Sequence, residues 1–325
     1  MKILIVGAAG MVGQKLLKRL LSDGHLGDRP IQSIVLFDVV AAAVPETTSV
    51  NVEVHTGDLS DAQSATQLAA GQPDVVFHLA AIVSGEAEAD FDKGYRINLD
   101  GTRYLLDAFR VAPYVPRFVF TSSIAVFGAP FPAAIDDEFH LTPLTSYGTQ
   151  KAIGELLLND YSRRGLLDGV GIRLPTICVR PGKPNKAASG FFSNIIREPL
   201  VGQEAVLPVT EDVRHWHASP RSAVEFLIHA ATIDTAVLGN RRNLTMPGLS
   251  VTVGEQIQAL RNVAGDSAVR LIRHEPDQAI IRMVSGWPQN FQPDRALRLG
   301  FRADQSFEDI IRIHIEDELP EGLRP

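Results

Sequence analysis

The chain has 325 residues, enough for one large α/β domain or a domain with an added lobe, and its 45% hydrophobic and 21% charged content is ordinary for a globular enzyme. A formal charge of −7 offers no basic footprint for nucleic acid or an anionic membrane, and the single cysteine, Cys178, excludes an intrachain disulfide and a cysteine-rich metal site. No apolar run reaches membrane length and the first strand pattern begins at residue 3, so a cytoplasmic protein without a signal peptide is expected.

The apolar run at residues 3–6 leads into Gly7, Gly10 and Gly13, with Met11 and Val12 inside the turn, and then into a helical pattern over 14–21. A buried strand that becomes a helix through three glycines makes a seat for a pyrophosphate: the backbone approaches closely and the helix start offers free N–H groups. The second strand pattern, 34–37, ends in Asp38, a carboxylate placed to accept both hydroxyls of an adenosine ribose and to repel a 2′-phosphate. Val39, Val40 and Ala41 supply no cation for such a phosphate, so NAD is expected rather than NADP.

Strand patterns then recur at 50–55, 74–81 and 117–123, with a helix expected after an N-cap at Ser60 and another over 95–111. The near-continuous apolar run before Ala81 suits a parallel strand covered on both faces, and the β/α alternation predicts a doubly wound parallel Rossmann sheet. Glu86, Glu88 and Asp90 read as a solvated loop. Past residue 175 the rhythm loosens: a strand at 177–179 holding a buried Cys178, helices over 190–200, 221–232, 252–264 and 306–319, and a short strand at 243–245. The expected division is a cofactor domain of 1–175 and 219–247, with an interwoven substrate lobe of 176–218 and 248–325.

Two segments add chemistry. Thr121-Ser122-Ser123 closes a strand at the end where ligands of open α/β sheets sit, and Tyr147 and Lys151 stand one turn apart at the start of a helix. An ammonium near a phenol favours phenolate, and Ser123 can hold the reacting oxygen beside it. Tyr-x-x-x-Lys is common in isolation; its weight comes from Gly7, Gly10, Gly13, Asp38 and Ser123 in the same chain.

With these motifs the chain resembles the extended short-chain dehydrogenase/reductase superfamily, the NAD-dependent epimerases and dehydratases, over essentially its whole length. The resemblance implies cofactor contacts from the glycine turn, Asp38, Asp58-Leu59, Leu79-Ala80-Ala81 after His78, Asn98, Tyr147, Lys151 and Pro175. It implies Ser123, Tyr147 and Lys151 as the catalytic set, with Tyr147 as general acid/base, and a homodimer through the helices 95–111 and 147–163. The chain departs from the nucleotide-sugar members at Arg173-Leu-Pro-Thr176, where they carry Arg-Tyr-Phe-Asn, and at Arg214-His-Trp-His-Ala218. The segments 213–221, 243–251 and 286–291 are instead similar to a branch that oxidises the C2 hydroxyl of a small sugar acid. A nucleotide-sugar epimerase or dehydratase with recycled NAD is the alternative.

A sugar acid needs a cation for its carboxylate and small polar partners for its hydroxyls. Arg180, Lys183, Lys186, Arg214 and Arg221 are the candidate cations; Ser84, Thr176, His215 and His217 are the candidate partners, with Ser123 at the reacting oxygen. His215 and His217 are expected to face opposite ways along an extended segment, which argues against a shared metal, and no metal site is expected. Trp216 and Trp287 are expected to pack rather than to bind.

Overall fold

The computed structural model describes residues 1–46, 49–182 and 188–319. They divide into two compact units, one of Met1–Val126, Thr145–Leu174 and Val224–Thr245, the other of Phe127–Leu144, Pro175–Ala223 and Met246–Pro325.

The first unit is built on seven strands: β1 (Lys2–Val6), β2 (Ser33–Asp38), β3 (Asn51–Thr56), β4 (Val75–His78), β5 (Arg117–Ser123), β6 (Asp168–Leu174) and β7 (Asn243–Thr245). All pairings are parallel and the order is β7-β6-β5-β4-β1-β2-β3. Strand order reverses beside β1, whose neighbours are β2 and β4, so the crevice beyond the carboxyl ends of β1 and β4 is the topological switch point. Helices α1 (Met11–Asp23), α2 (Ala62–Ala70), α3 (Ser84–Ala89), α4 (Gly101–Arg110) and α5 (Ser146–Arg163) belong to this unit.

Burial explains the parallel sheet. Leu4 and Val6 join Val76, Phe118 and Phe120 in one core with Leu68 of α2, Leu105, Leu106 and Phe109 of α4, and Leu158 of α5. Ile3 and Ile5 alternate with them and are equally buried, so β1 is covered on both faces. Each such side chain contributes about 1.5–3 kcal/mol over its exposed state.

Several elements differ from expectation. Asp61, not Ser60, caps α2 by accepting from Gln63 N–H, because Ser60 is already bonded to Asp58. The 95–111 helix is not regular: a turn at Phe91–Gly94 and a π-helical stretch, Tyr95–Asp100, precede α4. The 177–179 strand shrinks to Thr176–Ile177. Glu86 and Glu88 lie in α3 and Asp90 caps the next turn, so the acidic segment is ordered structure rather than a loop.

In the second unit, Thr176–Ile177 pairs in parallel with Arg214–Ala218, which pairs antiparallel with Leu249–Thr252. Helices Phe191–Leu200, Val253–Val269 and Phe307–Glu318 pack a core around Phe192, Ile195, Leu260, Ile310 and Ile311. Cys178 is buried in that core; Trp287 packs against it, and Trp216 is buried against Phe291. Among the described residues no helix is long and apolar enough to cross a membrane.

Candidate active site

The glycine turn joins β1 to α1. Gly7 has φ +91°, and a Cβ there would stand 2.5 Å from Ala80 N, so only glycine fits between β1 and the segment after β4. At Gly13 a Cβ would overlap the Gly7 carbonyl oxygen and lie 2.9 Å from Ala8 Cα, which locks α1 onto the turn. Gly10 is different: its φ and ψ, −69° and 161°, suit any residue, and its Cβ would meet only Gly7 O at 3.4 Å. Protein packing does not demand glycine there, and the side of the backbone that a Cβ would occupy is open. Gly10 also gives α1 no side-chain cap, which leaves the first N–H groups, from Met11 and Val12 onward, aimed at that space.

Asp38 ends β2 and closes the same turn, accepting from Ala9 N–H at 2.9 Å and Val39 N–H at 2.7 Å. Asp58 accepts from the Ser60 N–H and hydroxyl, both at 2.8 Å, and these bonds hold its carboxyl below the usual range. Leu59 beside it is buried. Leu79 N–H donates to Val6 O at 2.8 Å, which carries Leu79, Ala80 and Ala81 along the crevice beside Gly7.

Asn98 is buried within the π-helical stretch. Its Oδ1 accepts from Ile82 N–H at 2.9 Å, while its Nδ2 donates to Ile82 O at 3.2 Å and to Gln150 Oε1 at 2.8 Å. One amide thus ties the segment after β4 to α5. Thr102 hydroxyl donates back to Asn98 O at 2.7 Å, so the His78 Nε2 that lies 2.9 Å from it is the donor in that pair. Burial pulls the His78 pKa down to about 3, and the ring is neutral.

Tyr147 and Lys151 lie in the first turns of α5, whose start is held twice: Thr145 hydroxyl accepts from Gly148 N–H at 3.0 Å and Glu88 accepts from Ser146 N–H at 3.0 Å. Lys151 is buried; its Nζ donates to Thr121 O at 2.8 Å and sits 5.7 Å from the Tyr147 ring centre and 5.0 Å from that of Phe120. Desolvation lowers its pKa to about 8, against the pull of Glu155. Ser123 closes β5 and its Oγ accepts from Ala125 N–H at 3.1 Å, which leaves its hydrogen to donate. Ser84 opens α3. The Lys151–Thr121 bond therefore fixes the helix bearing Tyr147 to the strand bearing Ser123.

The second unit holds the other candidates. His215 and His217 share one face of their strand, as residues two apart must, and their rings are 5.4 Å apart; the expectation that they face opposite ways is wrong. Among the described residues no group of three or more His, Cys, Asp or Glu is placed to hold an ion. His215 Nδ1 lies 3.0 Å from Pro288 O and so carries the hydrogen; its Nε2 accepts from Thr176 hydroxyl at 2.7 Å. Burial lowers its pKa to about 4. His217 lies wholly buried beside Gln256, and burial holds its pKa well below the usual histidine range.

Pro175 is buried. Arg180 donates to Ile177 O and Ser189 hydroxyl, both at 3.0 Å. Arg214 is shared between Ser250 O at 2.7 Å and Glu255 at 3.3 Å, while Arg221 is paired with Glu316 and Asp317. Lys183 and Lys186 lie outside the described residues. Sequence reading missed the buried Glu155–Arg173 pair, although Glu155 stands four residues after Lys151, and it missed Gln150 and Thr102, whose roles depend on contacts across the fold.

A glycine turn at the switch point, a carboxylate at the end of the next strand and a Tyr/Lys pair beside a strand-end serine are the pattern of a nicotinamide-dinucleotide enzyme of the short-chain type. The profile of the NAD dependent epimerase/dehydratase family matches residues 3–232, and the chain belongs to that family. It is 48% identical over 321 residues to a D-erythronate dehydrogenase of Cupriavidus necator, covering 98% of each chain. It is 42% identical to a D-erythronate dehydrogenase of Haemophilus influenzae, covering 98% of this chain and all of that one, 100%. A crystal structure described as a nucleoside-diphosphate-sugar epimerase from Agrobacterium tumefaciens superposes with a TM-score of 0.96 at 67% identity, covering 98% of this chain and 95% of that one.

Proposed function

We propose that the protein oxidises the C2 hydroxyl of a small sugar acid, D-erythronate, to the 2-oxo acid with NAD. The observation that carries this reading is near full-length identity to two D-erythronate dehydrogenases in a chain that keeps Ser123, Tyr147 and Lys151. The open side of Gly10, the uncapped start of α1 and Asp38 fit a dinucleotide. Bound there, a nicotinamide dinucleotide would supply the hydride acceptor for C2.

The rest falls to the chain's own side chains. Tyr147 Oη takes the hydroxyl proton, and Lys151 favours the phenolate by its charge. Ser123 hydroxyl donates to the same oxygen and holds it still. Arg180 and Arg214 are the candidate partners of the carboxylate, each with a guanidinium already bonded to neighbours, Ile177 O and Ser189 for Arg180 and Ser250 O and Glu255 for Arg214. Thr176 and Ser84 are assigned to substrate hydroxyls, and His217 backs Thr176 through strand pairing. Self-association through α4 and α5 belongs to the same proposal, with Leu156 of α5 exposed; light scattering on the purified protein tests it.

The test is NADH formation at 340 nm with D-erythronate, run beside L-threonate, D-threonate, glycerate and UDP-glucose. Turnover confined to D-erythronate supports the reading. Silence on every acid, with NAD retained on the purified protein and UDP-glucose converted, favours the second reading: a nucleotide-sugar epimerase, which the description of the Agrobacterium structure motivates.

A further inference from the structure

Tyr147, Lys151 and Glu155 stand four residues apart along α5, which puts a phenol, an ammonium and a carboxylate in one stripe of the helix. Glu155 is 1% exposed, more deeply buried than Lys151 at 3%. Its carboxylate accepts from Arg173 Nε at 2.9 Å and Nη2 at 2.7 Å, and from Ser122 Oγ at 2.5 Å. Ser122 precedes Ser123, and Thr121 before it takes the Lys151 ammonium. One carboxylate thus joins α5 to β5 and β6 directly behind two of the three candidate catalytic residues.

Well-packed apolar residues of similar volume tie a helix to a sheet without the desolvation cost of a buried ion pair. A carboxylate one turn beyond a buried ammonium does something they cannot: it sets that ammonium's charge. We propose that Glu155 is a positioning residue acting through Lys151, its negative charge holding Lys151 protonated beside Tyr147 while Arg173 and Ser122 hold Glu155 in place. The rate consequence rests on the dehydrogenase reading; the charge relation does not.

The sign follows from the surroundings. Burial draws the Lys151 proton off and Glu155 holds it on. The titratable groups set around Lys151 are Tyr147 and Glu155 on α5, neutral His78 on β4, and Arg173 on β6 behind Glu155. With the Glu155 charge gone, Lys151 loses its proton at lower pH, and an uncompensated Arg173 pushes the same way.

The experiment is the pH titration of the Lys151 Cε resonance in protein carrying ¹³C-labelled lysine, without NAD or substrate, the signal assigned by its loss in Lys151→Met. Glu155→Gln is expected to lower the midpoint by about one pH unit or more, and Glu155→Asp to leave it near wild type. The double variant Glu155→Gln/Arg173→Gln buries two amides and no ion, guards against misfolding of the single variant, and is expected to lower the midpoint too. In turnover of D-erythronate, the alkaline limb of the kcat profile is expected to move to lower pH by the same amount, with KM unchanged. A folded double variant with the wild-type midpoint overturns the proposal, as does a lowered midpoint with an unmoved alkaline limb. Wild-type protein inactive on D-erythronate defeats the dehydrogenase reading, and the resonance still decides the role of Glu155.

Discussion

Replacing Gly10 and Gly13 separately by alanine should split two roles that the glycine turn combines. A methyl at position 13 overlaps the Gly7 carbonyl and comes within 2.9 Å of Ala8 Cα, where ordinary contact begins near 3.4 Å. Both neighbours are backbone, so α1 has to move off the turn; overpacking of this kind costs about 1–3 kcal/mol, or roughly 1–5 °C in melting temperature for a chain of this length. A methyl at position 10 meets only one atom, at 3.4 Å, and the backbone angles there are open to any residue. Its effect on stability is expected within about 0.5 kcal/mol of zero. It does fill the space over the free N–H groups of α1, so NAD affinity should fall about 10- to 100-fold, or about 1.4–2.8 kcal/mol. Thermal unfolding by circular dichroism gives the first quantity and calorimetric titration with NAD the second. If Gly10→Ala bound NAD as tightly as wild type, the open side of Gly10 would not be the phosphate seat and the cofactor argument would fail.

Tyr147→Phe should lower NADH formation by at least about 10²-fold while NAD binding holds, because only the proton acceptor is removed; a variant with most of its turnover would refute the assigned role. Asp38→Asn should weaken NAD by about tenfold through loss of charged bonds to the ribose and should narrow the preference over NADP, both read from KM values. Acid should destabilise the fold: His78 and His215 have pKa values near 3 and 4, against 6.5 ordinarily, so the unfolded chain binds protons the folded chain refuses. Their contribution is complete above pH 6.5 and is lost as pH falls toward 4, by up to about 1.4 kcal/mol per histidine per pH unit. His215→Gln should make that decline shallower in urea titrations at successive pH values; an unchanged slope would count against a neutral buried ring.

The cofactor half of the site was legible because its chemistry is local. Gly7, Gly10 and Gly13 announce a close approach of backbone, and Asp38 sits at a strand end that the apolar run marks out. Tyr147 and Lys151 declare their shared face through spacing alone. Asn98 required the likeness to a known family, since nothing local foretells a π-helical stretch that turns its amide toward Ile82 and Gln150. The histidines failed for a simpler reason: alternation separates neighbours one apart, and His215 and His217 are two apart. The arginines could not be ranked because a guanidinium's availability depends on long-range partners, as Glu255 is for Arg214 and Glu155 for Arg173.

The chain order of the two units has a consequence for how the protein is made. Strand β7 reaches its place beside β6 only after the chain has run through Pro175–Ala223, so the central sheet stays one strand short until residue 245 has been synthesised. Until then the Gly169–Arg173 edge of β6 shows unpaired N–H and C=O groups with no charged residue before Arg173 to discourage a second chain. When β7 arrives, Asn243 lies over Gly171 too closely for any side chain at that position. The last strand then forms the edge itself, only three residues long, and so short an edge gives a second chain little to pair with.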